Sequence, residues 1–124
     1  MSGNKLLLDT NAVLGFLGDG GYKFVFDKKT LFVSAIAELE LLSYHNLKDE
    51  ELDTIEIFLG FCEIIELMSN IKSKTIQLRK QYRLKLPDSI ICATSIANNL
   101  TLVSADKRLH KIKELKVVTL DDLP

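Results

Sequence analysis

Apolar runs that are too short to be helices constrain the fold of this chain more than any other feature. Residues 5–8, 31–33 and 101–104 each form such a run, and helical patterns separate them. Successive side chains of a strand point to opposite faces, so a strand that is apolar at nearly every position must be covered on both faces. The sequence therefore predicts an α/β fold with a central, mostly parallel sheet flanked by helices on both faces.

Capping residues and helical spacing place the other elements around these strands. Ser34 can cap a helix that runs to about residue 44, and Pro87 suits the first turn of a helix over residues 87–98. The remaining elements are expected to be helices over residues 11–17, 49–60 and 70–83, strands over residues 63–67 and 117–119, and a helical turn or two over residues 22–27.

The composition is typical of one compact domain. With 124 residues, of which 47% are hydrophobic, the chain is expected to form a single domain over residues 1–124. No apolar run approaches the ~20 residues that cross a bilayer, and the N-terminus lacks the residue order of a signal peptide. We therefore expect a cytoplasmic protein with no membrane segment. Cys62 and Cys92 lack the spacing of a metal site, so we expect them to be small buried hydrophobic residues.

Positive charge is concentrated in two local patches. The formal net charge is −1, so the field of the whole molecule does not attract a polyanion. One patch includes Arg79 and Arg83, and the other begins with Lys107 and Arg108. Because the net charge is close to zero, any nucleic-acid binding must depend on such local patches. Each patch alone is more typical of a solvated helix face.

Two aspartates follow predicted strands. Asp9 comes directly after the first strand, and Asp106 comes just past the strand over residues 101–104. The ligand crevice of a parallel sheet lies beyond the carboxyl ends of its strands. We therefore expect Asp9 and Asp106 to lie at the same edge of the sheet.

Further acidic residues are expected near this edge. Asp88 belongs to the first turn of a predicted helix, where the helix dipole favours its ionised form. The helix that Ser34 caps carries Glu38 and Glu40, which lie on roughly opposite sides of it. Only one of these two glutamates can face a shared site, and the apolar pattern of the helix does not decide between them.

The candidate site residues also have simpler interpretations. Asp9, Asp88 and Asp106 could each do no more than stabilise the start of a neighbouring helix. Asn11 and Ser104 could orient ligands or water around a metal, and both are also common turn residues.

A cluster of carboxylates calls for a cation. Like charges raise one another's pKa, and a divalent ion removes that penalty. A donor set of oxygens without His or Cys favours Mg²⁺ or Mn²⁺ over zinc. Such ions activate water and neutralise phosphoryl oxygens, so the pattern indicates phosphodiester hydrolysis.

Four motifs in the same order make the chain resemble the PIN-domain ribonucleases, and among them the VapC-like toxins of toxin-antitoxin pairs. The motifs are an apolar strand followed by Asp-Thr-Asn, a serine-led helix with an internal glutamate, a Leu-Pro-Asp helix start, and an apolar strand that ends in Ser-x-Asp. They occupy residues 7–11, 33–41, 86–95 and 102–106.

The resemblance implies a PIN-like fold and a set of site residues. The implied catalytic residues and metal ligands are Asp9, Glu40, Asp88 and Asp106, which hold Mg²⁺ or Mn²⁺. Glu40 is chosen because the family usually places this acid six positions after the serine that stands here at Ser34, and Glu38 remains the alternative.

The same resemblance implies residues that support the metal and the RNA. Asn11 and Ser104 are expected to orient the metal ligands or water. The family often has an arginine before the last aspartate, and this chain has Ala105 there. RNA contacts are therefore assigned to the basic residues of the two patches, which are Arg79, Arg83, Lys107 and Arg108.

The implied activity is hydrolysis of RNA by a metal-dependent endoribonuclease, the toxin of a type II toxin-antitoxin pair. Its implied partners are an RNA substrate, a small VapB-like antitoxin that blocks the acidic cleft, and a second copy of the chain in a homodimer. Two alternatives remain open, namely a PIN-domain nuclease of RNA processing without an antitoxin, and a PIN module that binds RNA or protein without cutting.

Overall fold

In the computed structural model, which describes residues 4–18 and 29–123, five strands form one parallel sheet. The order of the strands across the sheet is β3-β2-β1-β4-β5, and all four pairings are parallel. The strands are β1 (Lys5–Leu8), β2 (Thr30–Ser34), β3 (Glu63–Ile65), β4 (Thr101–Val103) and β5 (Lys116–Val118).

Helices connect and cover these strands, which confirms the predicted α/β class. In the described ranges, no helix is both long enough and apolar enough to cross a membrane. The helices are α1 (Thr10–Gly18), α2 (Ala35–Leu42), α3 (Asp49–Gly60), α4 (Ser69–Gln81) and α5 (Leu86–Ala97), followed by two 3-10 helices, Lys107–Lys111 and Leu120–Asp122.

The central strand β1 is buried on both faces. Leu6, Leu7 and Leu8 are each 0% exposed, although consecutive side chains point to opposite sides of the sheet. This is the burial that the continuous apolar run predicted. Burying a leucine side chain fully stabilises a fold by about 1.5–3 kcal/mol, so β1 anchors the core on both sides of the sheet.

The connections reverse direction at β1. The chain first builds outward from β1 to β2 and β3, and then crosses back to place β4 on the other side of β1. Leu8 pairs with Val103, and the backbone N–H of Asp9 donates to the carbonyl of Val103 at 3.3 Å. The carboxyl ends of β1 and β4 therefore lie side by side at the point where an open parallel sheet forms its ligand crevice.

Helix α2 and strand β3 each end about two residues earlier than expected, for local reasons. Helix α2 ends at Leu42 instead of near residue 44, where the Ser43 N–H donates to the Glu40 carbonyl and Asn46 adopts a positive φ of 63°. Strand β3 ends at Ile65 instead of residue 67, because its partner Ser34 is the last residue of β2. Neither end is visible in the apolar pattern alone.

Other predicted bounds shift by one or two residues. Helix α1 begins at Thr10 instead of residue 11, α4 covers Ser69–Gln81 instead of residues 70–83, and β5 covers Lys116–Val118 instead of residues 117–119. The helical turn expected over residues 22–27 lies outside the described residues.

Candidate active site

A cleft with a volume of about 470 Å³ opens at the carboxyl edge of β1 and β4. All four of the acids chosen from the sequence line it, and so does the predicted supporting residue Asn11. The residues that line this acidic cleft are Asp9, Asn11, Glu40, Lys85, Pro87, Asp88, Ala105, Asp106, Arg108 and Leu109.

Asp9 is fixed in place by the start of α1. Its Oδ1 accepts a hydrogen bond from the Ala12 N–H at 2.7 Å, and its carbonyl accepts from the Val13 N–H at 3.1 Å. The carboxylate therefore caps the helix, as the simpler interpretation required. It also lines the cleft, so capping and a role in the site are compatible at this residue.

Ser104 connects the two strand ends beneath the cleft. The residue is buried, and its Oγ accepts a hydrogen bond from the Asp106 N–H at 3.1 Å. The same side chain also lowers the pKa of Asp9, against the effect of burial. Ser104 therefore contacts Asp106 and lies close to Asp9 beneath the cleft, and its role in orienting metal ligands or water stays a prediction.

Thr10 holds Glu40 at the cleft. Its Oγ1 donates to Glu40 Oε1 at 2.8 Å, which joins the start of α1 to α2. Helix α2 begins directly after β2 because the Ser34 Oγ accepts from the Ala37 N–H at 3.2 Å, and this start sets the rotation of the helix. Glu38 is not among the residues that line the cleft.

Arg108 forms ion pairs with two acids of the cleft. Its Nη2 lies 2.6 Å from Asp106 Oδ2, and its Nε lies 3.0 Å from Asp106 Oδ1. The same Nη2 lies 3.8 Å from Asp88 Oδ2. Asp106 Oδ1 also accepts from the Arg108 N–H at 3.0 Å, so Asp106 caps the 3-10 helix that follows it.

The pKa values of two cleft acids, Asp9 and Asp106, are shifted in opposite directions. Burial raises the pKa of Asp9, and the nearby charges of Asp88 and Asp106 add to the rise, while hydrogen bonds from Ser104 and Ala12 oppose it. The hydrogen bonds from Arg108 lower the pKa of Asp106 instead. The negative charge of Asp9 is therefore disfavoured, and that of Asp106 is already compensated from within the chain.

Cys92 lies in the core and takes no part in this chemistry. Burial raises the pKa of its thiol to about 12, and the neighbouring acids of the cleft add to this effect. A thiol with such a pKa stays protonated at neutral pH, so it is a poor nucleophile. Cys92 is thus buried as predicted, whereas Cys62, which is also a free thiol, is only partly buried.

The four carboxylates fit a hard divalent cation in their chemistry. They offer only oxygen donors, and the burial of Asp9 beside two other acids leaves negative charge that a cation stabilises. Within residues 4–18 and 29–123, no three His, Cys, Asp or Glu side chains are grouped closely enough to hold a metal ion. Asp88 and Asp106 face the guanidinium of Arg108 in this arrangement.

The predicted RNA-binding residues are divided between two places. Arg79 and Arg83 line an open surface beside the acidic cleft, here called the basic groove, together with Ile76, Lys80, Leu84 and Lys85. Arg108 lines the acidic cleft instead, and Lys107 lines neither the cleft nor the groove.

Lys85 and Thr10 are two residues of this region that were not among the site residues chosen from the sequence. Lys85 lines both the basic groove and the acidic cleft, so it joins the two surfaces. Thr10 is the partner of Glu40. Thr10 stands in the Asp-Thr-Asn motif, and Lys85 is the last residue of a basic run that leads into Pro87, so both signals were present in the sequence.

Comparison with known protein families gave a match to the PIN domain over residues 6–115. No curated protein sequence matched the chain. The matched residues run from β1 into the segment between the first 3-10 helix and β5, so they include the four acids of the cleft.

Solved structures share the fold over nearly the whole chain. A chain of a toxin-antitoxin complex from Klebsiella pneumoniae is 27% identical, with a TM-score of 0.78 over 93% of this chain and 97% of that chain. VapBC2 from Rickettsia felis, bound to a DNA fragment from its promoter, gives 22% identity and a TM-score of 0.80 over 93% and 98%. DNA-bound VapBC from Salmonella typhimurium gives 17% identity and a TM-score of 0.83 over 94% and 98%.

The pKa of Asp9 yields a prediction about stability without metal. A carboxyl whose pKa is raised in the fold stabilises the native state below its ordinary pKa of 3.8, and this contribution is lost as pH rises through the folded pKa. Relative to wild type, Asp9→Asn should therefore gain stability as pH rises through that window, and the gain should then level off. The amide oxygen of Asn can still accept from the Ala12 N–H.

Urea unfolding in EDTA at a series of pH values measures this difference. Asp53→Asn removes an exposed carboxylate of α3 that does not line the cleft, and its difference from wild type should stay flat in comparison. An Asp9→Asn difference that is equally flat contradicts the prediction.

Proposed function

Because this chain belongs to the PIN domain family, we propose that it is a metal-dependent endoribonuclease and the toxin of a type II toxin-antitoxin pair. The family is generally one of nucleases that use divalent metal ions. The observation that carries the proposal is that Asp9, Glu40, Asp88 and Asp106, from four separate segments of the chain, line one cleft at the switch point of the sheet. Capping alone does not explain this convergence.

The four carboxylates are the proposed holders of one or two Mg²⁺ or Mn²⁺ ions. An ion bound there supplies positive charge that offsets the charge on the phosphate and makes water a better nucleophile. The chain itself contributes position. The Ala12 N–H holds Asp9, and the Thr10 hydroxyl holds Glu40, so these two acids do not have to be ordered when a substrate binds.

The basic groove is the proposed binding surface for RNA. Arg79, Lys80 and Arg83 provide positive charge there, and the apolar side chains of Ile76 and Leu84 line the same groove. Lys85 continues the positive charge to the edge of the acidic cleft. An RNA backbone that follows the groove is thus led to the carboxylates, although the net charge of the chain is −1.

We further infer a small VapB-like antitoxin and a homodimer as partners, with the protein acting on RNA in the cytoplasm as a single domain over residues 1–124. The solved toxin-antitoxin complex that is 27% identical supports the first of these partners. Exposed apolar side chains support a protein partner as well. Leu39 is 61% exposed and Leu67 is 43% exposed, and both line an apolar groove beside α2.

Catalysis is tested by removing single carboxylates. Asp9→Asn or Asp88→Asn should reduce Mg²⁺- or Mn²⁺-dependent RNA cleavage by at least 10²-fold, because one donor of the shared cation is lost while the fold persists. EDTA should abolish the activity of the wild type. The measurement is cleavage of several RNA pools by purified protein free of antitoxin, with circular dichroism to check folding. Full activity in both variants, or no cleavage by wild type with any metal, contradicts the proposed ribonuclease activity.

The same variants test the toxin in cells. Expression of the wild type should arrest growth, Asp9→Asn should not, and a small protein encoded beside the gene should relieve the arrest. Cleavage in vitro without arrest in cells favours a nuclease of RNA processing instead.

The two glutamates of α2 are separated by a matched pair of substitutions. Glu40→Gln should reduce cleavage and weaken Mn²⁺ binding by at least tenfold, whereas Glu38→Gln should leave both near wild type, because only Glu40 lines the cleft. Cleavage rates and Mn²⁺ titrations are compared at equal helical content. The reverse outcome assigns the donor to Glu38 and leaves the proposed activity unchanged.

The basic groove is tested by salt dependence. With Arg79 and Arg83 both changed to Gln, all RNAs should bind more weakly by similar factors, and the slope of log affinity against log salt should fall by roughly one unit per lost phosphate contact. Binding is measured in EDTA so that the RNA stays intact. The double variant Lys72→Gln, Lys116→Gln removes two exposed charges outside the groove and should keep the wild-type slope. An altered sequence preference at an unchanged slope would mean that the groove contacts bases.

A further inference from the structure

Arg108 is the one cation whose side chain forms ion pairs with cleft acids among the residues described here, 4–18 and 29–123. Its guanidinium is paired with Asp106 through two nitrogens, at 2.6 and 3.0 Å, and its Nη2 also lies 3.8 Å from Asp88. A bidentate pair of this kind is among the stronger ionic contacts in proteins. Both carboxylates are acids that the proposed function assigns to the metal.

The chain does not hold Arg108 there by burial. Its side chain is 63% exposed, and its contacts with the two carboxylates hold the guanidinium over the cleft. Asp106 also caps the 3-10 helix through the Arg108 N–H, so the backbone of Arg108 stays fixed if its side chain leaves. The guanidinium can therefore be displaced without unfolding any element.

We propose that Arg108 is an internal counter-ion of the acidic cleft, which a divalent ion must displace from Asp106 before it can bind. This rests on the proposed function, because it concerns access to the same metal site. The guanidinium, which carries one positive charge, lies on Asp106 and near Asp88. It compensates part of the charge that attracts a divalent ion, and it occupies carboxylate oxygens that the ion needs. The two cations therefore compete for the same donors.

The competition has two consequences that a purely structural ion pair does not have. Removing the guanidinium should weaken the metal-free protein, because repulsion among the cleft acids is no longer offset. It should also strengthen metal binding, because the ion no longer has a competitor. A structural contact would give the first effect alone.

The test is a titration of the whole chain with Mn²⁺ alone, without RNA, followed by electron paramagnetic resonance of the free ion. Arg108→Gln should bind Mn²⁺ roughly tenfold more tightly than wild type, since a positive charge and an exposed ion pair are both removed from the site. Lys111→Gln is the matched control, because Lys111 is an exposed cation of the same 3-10 helix that does not line the cleft. It should bind Mn²⁺ no more than about twofold more tightly than wild type, since its charge is screened by solvent.

Two further measurements separate the proposal from loss of folding. Arg108→Lys keeps the charge but not the bidentate fork, and its Mn²⁺ affinity should fall between those of wild type and Arg108→Gln. The melting temperature of Arg108→Gln should be lower than that of wild type in EDTA, and its rise on addition of Mn²⁺ should be larger.

The outcomes distinguish this inference from the proposed function. If Asp88→Asn weakens Mn²⁺ binding but Arg108→Gln binds no more tightly than Lys111→Gln, the metal site stands and the role of Arg108 is overturned. If Asp88→Asn binds Mn²⁺ as the wild type does, the metal site itself fails, and the role of Arg108 fails with it.

Discussion

The parallel pairing of β1 with β4 is the constraint on which the rest of the site depends. This pairing covers one edge of the buried central strand, and the register of Leu8 with Val103 places Asp9 beside Ser104 and near Asp106. The acids at these strand ends therefore cannot separate without breaking the sheet. A core that is favourable to bury thus holds together charges that repel one another, which is the arrangement a cation site requires.

The class of fold followed from the sequence because it depends on burial, and burial leaves a local pattern. The run Leu6–Leu8 predicted a strand covered on both faces, and the buried Leu102 and Val103 gave β4 in the same way. The ends of α2 and β3 could not be predicted, because they depend on a turn at Asn46 and on where a neighbouring strand stops. Both features depend on the tertiary structure and leave no pattern in the spacing of apolar residues.

The site shows the same division. Asp9, Asp88 and Asp106 could be chosen from the sequence because each follows a strand or begins a helix. Glu40 was chosen over Glu38 only through the resemblance to the PIN family. The structure brings all four acids to one cleft. The sequence could not predict that Arg108 contacts Asp106 instead of RNA. A basic residue just after an aspartate looks the same in the sequence in both cases. The partner of Glu40 was equally hidden, since Thr10 and Glu40 are 30 residues apart and meet only when α1 packs beside α2.

The position of Lys85 on both surfaces has a consequence for the length of substrate that this chain would process. A short phosphodiester that lies only over the cleft meets four carboxylates against the two cations Lys85 and Arg108. A longer strand also reaches Arg79, Lys80 and Arg83, which add attraction away from the scissile bond to the charge that the proposed metal ion would supply at the cleft. Preference for a polymer over a dinucleotide would then arise from the layout of charge across two adjoining surfaces, without any contact that recognises a base.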